Sequence, residues 1–162
     1  MKTCLITGFI AINLLFISFC TDDKCQSNDV LKARLESAIL AAKPDSKESV
    51  VNFHQLANFD WDELLIISPY GLVDSLAKEG IETDCISQTN IAQRDDICVL
   101  AFLKNKKLVN HIVYPRWPGD FSEIKGENGY KRFSRKNTRF LVKSTNEKTN
   151  SGKPFLRIAE IQ

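Results

Sequence analysis

The apolar positions that follow residue 28 recur with a helical period. Between Asp29 and Lys43, apolar residues return every three or four positions. Ser27 or Asn28 is available as the N-terminal cap, and Pro44 ends the run. We therefore predict a helix over residues 29–43, whose apolar stripe must be covered by a sheet. The stripe consists of Val30, Leu31, Leu35, Ala38, Ile39 and Ala42.

The middle of the chain has the pattern of one central strand followed by a short helix. Residues 61–68 form a short apolar run of strand-favouring types, which predicts a buried strand that ends before Pro69. Residues 71–78 predict a helix of about two turns, with Gly80 as its stop signal. Residues 50–56 fit a strand and a helix equally well.

The second half of the chain has the pattern of β structure. Residues 98–103 and 108–114 are two β-rich runs joined by a basic turn, which is typical of a hairpin. Residues 140–144 and 155–161 predict a second hairpin, while residues 114–121, with two prolines and a glycine, predict a loop. This order of elements predicts an α+β fold with a mostly antiparallel sheet of about five strands and both helices packed on one face.

Composition predicts a single globular domain, because 162 residues with 43% apolar and 26% charged side chains are an ordinary balance. The net charge of +2 argues against a nucleic-acid partner, which requires a concentrated positive field. The charge is uneven along the chain: residues 21–98 hold 7 basic and 15 acidic side chains, and residues 99–162 hold 14 and 5. Either the two parts attract each other in the fold, or the basic part faces an acidic partner.

The first twenty residues have the layout of a secretory signal: Lys2, then an uncharged stretch that ends at Cys20. Because Lys2 stays on the cytoplasmic side, the rest of the chain lies outside the cytoplasm. Residues 15–20 resemble a bacterial lipoprotein signal, in which Cys20 becomes the lipid-bearing first residue, although Phe19 stands where such signals carry a small residue. We therefore expect a signal peptide at 1–20, a tether at 21–28 and one domain at 29–162, in the cell envelope. Cleavage without lipid and an uncleaved anchor are the alternatives.

The remaining cysteines are expected to form one disulfide. With Cys4 in the leader and Cys20 bearing lipid, the domain keeps Cys25, Cys85 and Cys98. In an oxidising compartment we predict a bond between Cys85 and Cys98, which are thirteen residues apart, and we leave Cys25 unpaired. Three unpaired buried thiols are the alternative.

The sequence predicts no metal site, no cofactor and no enzyme. There is no C-x-x-C pair, neither histidine has ligand spacing with a cysteine, and neither of the common glycine-rich phosphate-binding motifs occurs. His54 and His111 lie outside any recognisable nucleophile motif. A small envelope hydrolase that uses His111, or the cluster Asp60, Asp62 and Glu63, is retained as an alternative.

Two segments are candidates for binding. The loop at residues 114–118 carries Arg116 and Trp117, which are residue types that dominate binding hot spots, on a frame of prolines. Alternatively, Trp117 folds back to cap the core. Residues 131–143, KRFSRKNTRFLVK, combine cations with aromatic rings, as nucleic-acid surfaces do. For an exported domain, a solvated basic strand pair or an acidic protein partner is the better interpretation.

Residues 59–71, FDWDELLIISPYG, and residues 99–114, VLAFLKNKKLVNHIVY, resemble an uncharacterised family of small bacterial exported proteins and lipoproteins. The resemblance covers residues 53–115 and implies a fold but no activity. We interpret FDWDELLIISPYG as structural, with Trp61 anchoring the strand, and a ligand site in this segment is the alternative. The leading hypothesis is a non-enzymatic, lipid-anchored binding protein with a protein partner, such as an immunity or inhibitor protein. A structural role in envelope assembly is a further alternative.

Overall fold

The computed structural model of the chain describes residues 25–43, 49–149 and 152–161. In these ranges four helices and seven strands form an α+β fold, so the predicted fold class is confirmed. The helices are α1 (Asp29–Ala41), α2 (Phe53–Leu56), α3 (Val73–Lys78) and α4 (Asp84–Ser87). The strands are β1 (Val50–Asn52), β2 (Glu63–Ile67), β3 (Ile97–Lys104), β4 (Lys107–Pro115), β5 (Tyr130–Ser134), β6 (Arg139–Lys148) and β7 (Pro154–Glu160).

The named strands pair antiparallel throughout, but they form two sheets instead of the single sheet that we predicted. The larger sheet has the order β4-β3-β2-β5, and the smaller has the order β1-β6-β7. Strand β5, which the pattern did not predict, pairs with β2 over its whole length, from Tyr130 opposite Ile67 to Ser134 opposite Glu63. Its sequence YKRFS has no apolar alternation, because much of β5 lies at a half-exposed edge.

The four-stranded sheet is covered on both faces. Successive side chains of a strand point to opposite faces, so Leu64 and Ile66 enter one core while Leu65 and Ile67 enter a second. The first core contains α1 and the three-stranded sheet, and the second contains α3 and the residues that follow it. The two predicted helices therefore lie on opposite faces, not on one. Burial on both faces also explains why β2 and β3 have continuous apolar sequences.

The N-terminal residues of the described chain are fastened to the edge strand β4. Of the two predicted caps, Asn28 is the one that caps α1, since its Oδ1 accepts from the Leu31 N–H at 2.9 Å. The Asn28 N–H also donates to the His111 carbonyl at 2.9 Å, and the Ser27 hydroxyl accepts from the Val113 N–H at 3.0 Å. Residues 25–28, the last four of the predicted tether, thus lie against the domain. No helix in the described ranges is long and apolar enough to span a bilayer.

Candidate functional site

The aromatic and acidic residues at the start of FDWDELLIISPYG make contacts within the fold. Trp61 is buried, its ring meets the Phe102 ring edge to face at 5.2 Å, and the Arg135 guanidinium lies 5.3 Å from the Trp61 ring. The Asp62 carboxylate accepts from the Lys104 ammonium at 2.8 Å and from the Asn105 N–H at 3.0 Å. The hydrogen bond from Lys104 is the main cause that lowers the pKa of Asp62. These contacts tie the start of β2 to the β3–β4 turn.

The Pro-Tyr-Gly end of the same segment packs against a second turn. The Ser68 N–H donates to the Gly129 carbonyl, and the Leu72 N–H donates to the Asn128 carbonyl, both at 2.9 Å. A Cβ on Gly71 would lie 2.6 Å from the Ile67 side chain, so glycine is required where the two turns meet. The turn at residues 68–72 is therefore held in one place from both ends.

Tyr70 has an unusual backbone in this turn. Its φ of 61° lies in the left-handed region, which costs a residue other than glycine about 1–2 kcal/mol. The Tyr70 N–H holds this geometry by bonding the carbonyls of Ile91 at 3.0 Å and Arg94 at 3.3 Å. Its side chain is 58% exposed and has no hydrogen bond or ring contact within the described residues. A strained backbone thus presents a free aromatic ring to solvent.

The predicted binding residue Arg116 acts as a brace inside its own loop. Its guanidinium donates from Nε and Nη2 to one carboxylate oxygen of Asp120, at 3.0 and 2.7 Å. Asp120 is 1% exposed and also accepts from the Ser122 N–H at 2.8 Å. The Asp120 backbone exchanges two hydrogen bonds of 2.9 Å with β7, and the Tyr114 hydroxyl donates to the Pro118 carbonyl. The loop is consequently fixed to both sheets.

Trp117 lies outside both hydrophobic cores. It is absent from the residues that form either core, and its side chain is 39% exposed. The alternative in which Trp117 folds back to cap the core is therefore not what the structure contains. The loop presents Trp117 while Arg116 holds the loop in place.

The two loops leave the same end of the four-stranded sheet. Strand pairing places Ile67 of β2 opposite Val99 of β3, and Ile97 of β3 opposite Pro115 of β4. The segment between Arg94 and Asp96 connects the loops: Tyr70 bonds the carbonyl of residue 94, and the Arg116 N–H bonds the carbonyl of residue 96 at 3.3 Å. Arg94 and Asp96 form a 2.5 Å ion pair. We define the Tyr70–Trp117 face as the exposed side chains of Tyr70, Leu72 and Trp117 together with the half-exposed Arg94.

No protein-family model matches the sequence, and comparisons with curated proteins and with solved structures also find no match. The resemblance drawn from the FDWDELLIISPYG segment therefore stays a prediction, and the candidate site depends on geometry alone.

The catalytic candidates of the alternative hypothesis lie in separate places. His111 is 3% exposed, burial lowers its pKa, and it lines a cavity of about 450 Å³ beside α1. Asp60 and Asp62 line a different cavity with His54 and are paired with Lys104. Glu63 faces Arg132 at 3.8 Å. The described residues also contain no group of three side chains suited to hold a metal.

The predicted disulfide between Cys85 and Cys98 is wrong, because Cys85 is bonded to Cys25. Cys98 is a buried free thiol whose neighbours Ile97 and Val99 face the second core. Alternation along β3 therefore turns Cys98 into the first core, away from α4, which carries Cys85. Burial raises the pKa of the Cys98 thiol to about 12. The predicted lipid site, Cys20, lies outside the described residues.

Sequence reasoning missed the roles of Asp120 and Arg94 and found Tyr70 only through a resemblance. The spacing of Arg116 and Asp120 is that of an ion pair on a helix, but two prolines and a glycine exclude a helix there. The Pro-Tyr-Gly order predicts a turn, but in such a turn glycine is the residue expected to be left-handed, so nothing local indicated Tyr70.

Replacing Arg116 by alanine would leave the buried Asp120 carboxylate with the Ser122 N–H as its remaining donor from the loop. We expect the free energy of unfolding to fall by about 2–3 kcal/mol, measured by urea denaturation. Arg94→Ala is the control, because it breaks an exposed ion pair and should cost less than about 1 kcal/mol. Equal losses for the two variants would contradict the role of Arg116 as a brace.

Proposed function

We propose that this chain is a non-enzymatic binding protein of the bacterial cell envelope, which engages a protein partner through the Tyr70–Trp117 face. The observation that supports it most is Tyr70, whose exposed ring is held by a left-handed backbone at the sheet end that also presents Trp117. Strained residues persist only where the surroundings enforce them, and they cluster at functional sites.

The composition of the face favours a protein partner. Tyrosine, tryptophan and arginine are enriched among residues that contribute most to protein–protein affinity, and the Tyr70–Trp117 face contains one of each together with Leu72. The bracing of both loops adds to this, because ordering flexible loops on binding opposes association. A rigid surface of this kind suits an immunity or inhibitor protein, which has to occupy a toxin or a hydrolase.

We propose that lipid on Cys20 anchors the protein to a membrane. A disulfide such as Cys25–Cys85 persists in oxidising compartments, which supports a location outside the cytoplasm. Five peptide steps separate Cys20 from Cys25, a reach of at most about 18 Å. The domain would therefore stay close to the membrane that holds its lipid.

Tyr70→Gly is the sharpest test, because it separates binding from stability. Glycine adopts the left-handed region without strain, so we expect the free energy of unfolding to stay unchanged or to rise by up to about 1 kcal/mol. Loss of the ring should lower partner recovery from an envelope extract at least about tenfold. Trp117→Ala should give the same loss of recovery.

The matched control is Leu40→Ala, which removes an exposed apolar side chain from α1. It should recover the partner as the wild type does. Recovery that is equal for Tyr70→Gly, Trp117→Ala and wild type would overturn the proposal, and so would a loss of recovery that Leu40→Ala shares.

A further inference from the structure

Some of the basic side chains at residues 131–139 form ion pairs with carboxylates of the same chain. The Lys131 ammonium lies 2.6 Å from Glu160, the Arg132 guanidinium 2.5 Å from Glu79, and the Arg135 guanidinium 3.6 Å from Asp60. Three of the five cations in this segment therefore already have carboxylate partners.

The other two cations, Lys136 and Arg139, have no acidic partner within the described ranges of the chain, and both side chains are exposed. They lie at the same place because a 3-10 turn at Arg135–Asn137 joins the end of β5 to the start of β6. Both line a groove of about 490 Å³, which is within the usual size of ligand pockets.

The floor of this groove is apolar. Phe133 of β5 meets Phe140 of β6 edge to face, with ring centroids 5.0 Å apart. Ile161, which follows β7, also lines the groove and is 45% exposed. Glu160 is the acidic side chain among the lining residues, and its charge is balanced by Lys131. The groove thus combines an aromatic floor with two uncompensated positive charges.

The groove lies at the sheet edge opposite the fastened N-terminus. The N-terminal residues lie along β4, whereas Phe133 belongs to β5 at the other edge of the same sheet. Three strand spacings separate these edges, about 14 Å. The described N-terminal residues 25–28 therefore do not cover this groove.

We propose that the groove formed by Phe133, Lys136, Arg139, Phe140 and Ile161 binds an acidic segment of a protein partner. Carboxylates of the segment pair with Lys136 and Arg139, and an apolar side chain packs on the half-buried Phe133 and the exposed Ile161. A peptide is favoured over nucleic acid, because a phosphate backbone requires a longer run of available cations than the two that this segment leaves free.

A labelled peptide measures this binding directly. The probe is a fluorescein-labelled octapeptide with six glutamates around a central phenylalanine and leucine. Its binding is measured by fluorescence anisotropy as the chain from residue 21 onward is added. We expect salt-sensitive binding, and at least about tenfold weaker binding when the glutamates are replaced by glutamines. An eight-nucleotide single-stranded DNA and vesicles with phosphatidylglycerol should bind more weakly than the acidic peptide.

Two double variants test whether peptide binding depends on the groove cations or only on the net charge of the protein. Lys136→Glu combined with Arg139→Glu should weaken peptide binding at least about tenfold, whereas Lys78→Glu combined with Lys107→Glu, an equal change in net charge at exposed positions elsewhere, should change it less than about twofold. Ile161→Glu, at an exposed position, provides a second test if the first double variant folds poorly. Equal weakening by both double variants, tighter binding of DNA or vesicles, or no effect of Ile161→Glu would overturn the proposal.

This inference does not depend on the Tyr70–Trp117 face. Tyr70→Gly and Trp117→Ala should bind the acidic peptide as the wild type does, because neither residue lines the groove. Loss of peptide binding in those variants would show that the two surfaces are not separate and would count against the groove.

Discussion

Replacing Cys25 and Cys85 by serine is expected to lower the free energy of unfolding by about 4 kcal/mol. The bond joins positions 60 apart, so its loss returns the entropy of a long open chain to the unfolded state. It also removes the covalent attachment of the N-terminal residues that lie along β4. The loss should be visible in urea denaturation of the chain from residue 21 onward, as a lower midpoint.

Thiol counting provides the control for this prediction. The folded, unreduced chain from residue 21 onward should expose no reactive thiol, because Cys98 is buried and its pKa is raised to about 12. After denaturation without reductant it should show one thiol per chain, and after reduction three. Cys98→Ala should keep the disulfide and retain most of the stability. Peptide mapping that joins Cys85 to Cys98 would refute the assignment.

Trp61→Ala is expected to lower the free energy of unfolding by about 3–5 kcal/mol, the usual cost of removing a large buried aromatic side chain. The Trp61 ring packs on Phe102, and Phe102 in turn contacts the rings of Phe53 and Phe59. The cavity would therefore open next to Phe102, in a cluster that keeps three aromatic rings.

Trp61→Phe separates the ring from its polar atom. The indole N–H of Trp61 is buried and lacks a hydrogen-bond partner among the described residues, and such a group is costly. Removing it offsets part of the lost packing, so Trp61→Phe should cost less than about 1.5 kcal/mol. If thermal denaturation shows equal losses for the phenylalanine and alanine variants, the ring is not the anchor of β2.

The elements with strong local patterns were predictable from the sequence. In α1, Leu31, Leu35 and Ile39 recur at the helical spacing and are the residues that the structure buries. The β3–β4 hairpin was also visible, and its two central residues, Asn105 and Lys106, both have a positive φ as a two-residue hairpin turn requires. Local chemistry determines both features.

Features that depend on distant partners were not predictable. Strand β5 is a strand because its backbone pairs with β2, while its charged side chains hide the alternation. The division into two sheets depends on which strands pair with each other, and strand pairing cannot be predicted from a local sequence pattern. The disulfide was mispredicted from proximity along the chain, although alternation from Leu100 and Phe102 would have placed Cys98 inside the first core.

Only part of the candidate site could be predicted from the sequence. Arg116 and Trp117 stood out by residue type, but only the fold separates the side chain that braces the loop from the one that it presents. Tyr70 is a candidate because its φ is positive and because it lies at the same end of the sheet as Trp117. Neither feature can be predicted from a single sequence.

The attachment of residues 25–28 to β4 has a consequence for self-association. An unpaired outer strand invites another chain to extend the sheet, and natural proteins block such strands. Here Ser27 and Asn28 occupy hydrogen-bonding groups of that strand, and the neighbouring bond from Cys25 keeps them there. The Cys25–Cys85 bond therefore also protects β4 from pairing with the same strand of another copy.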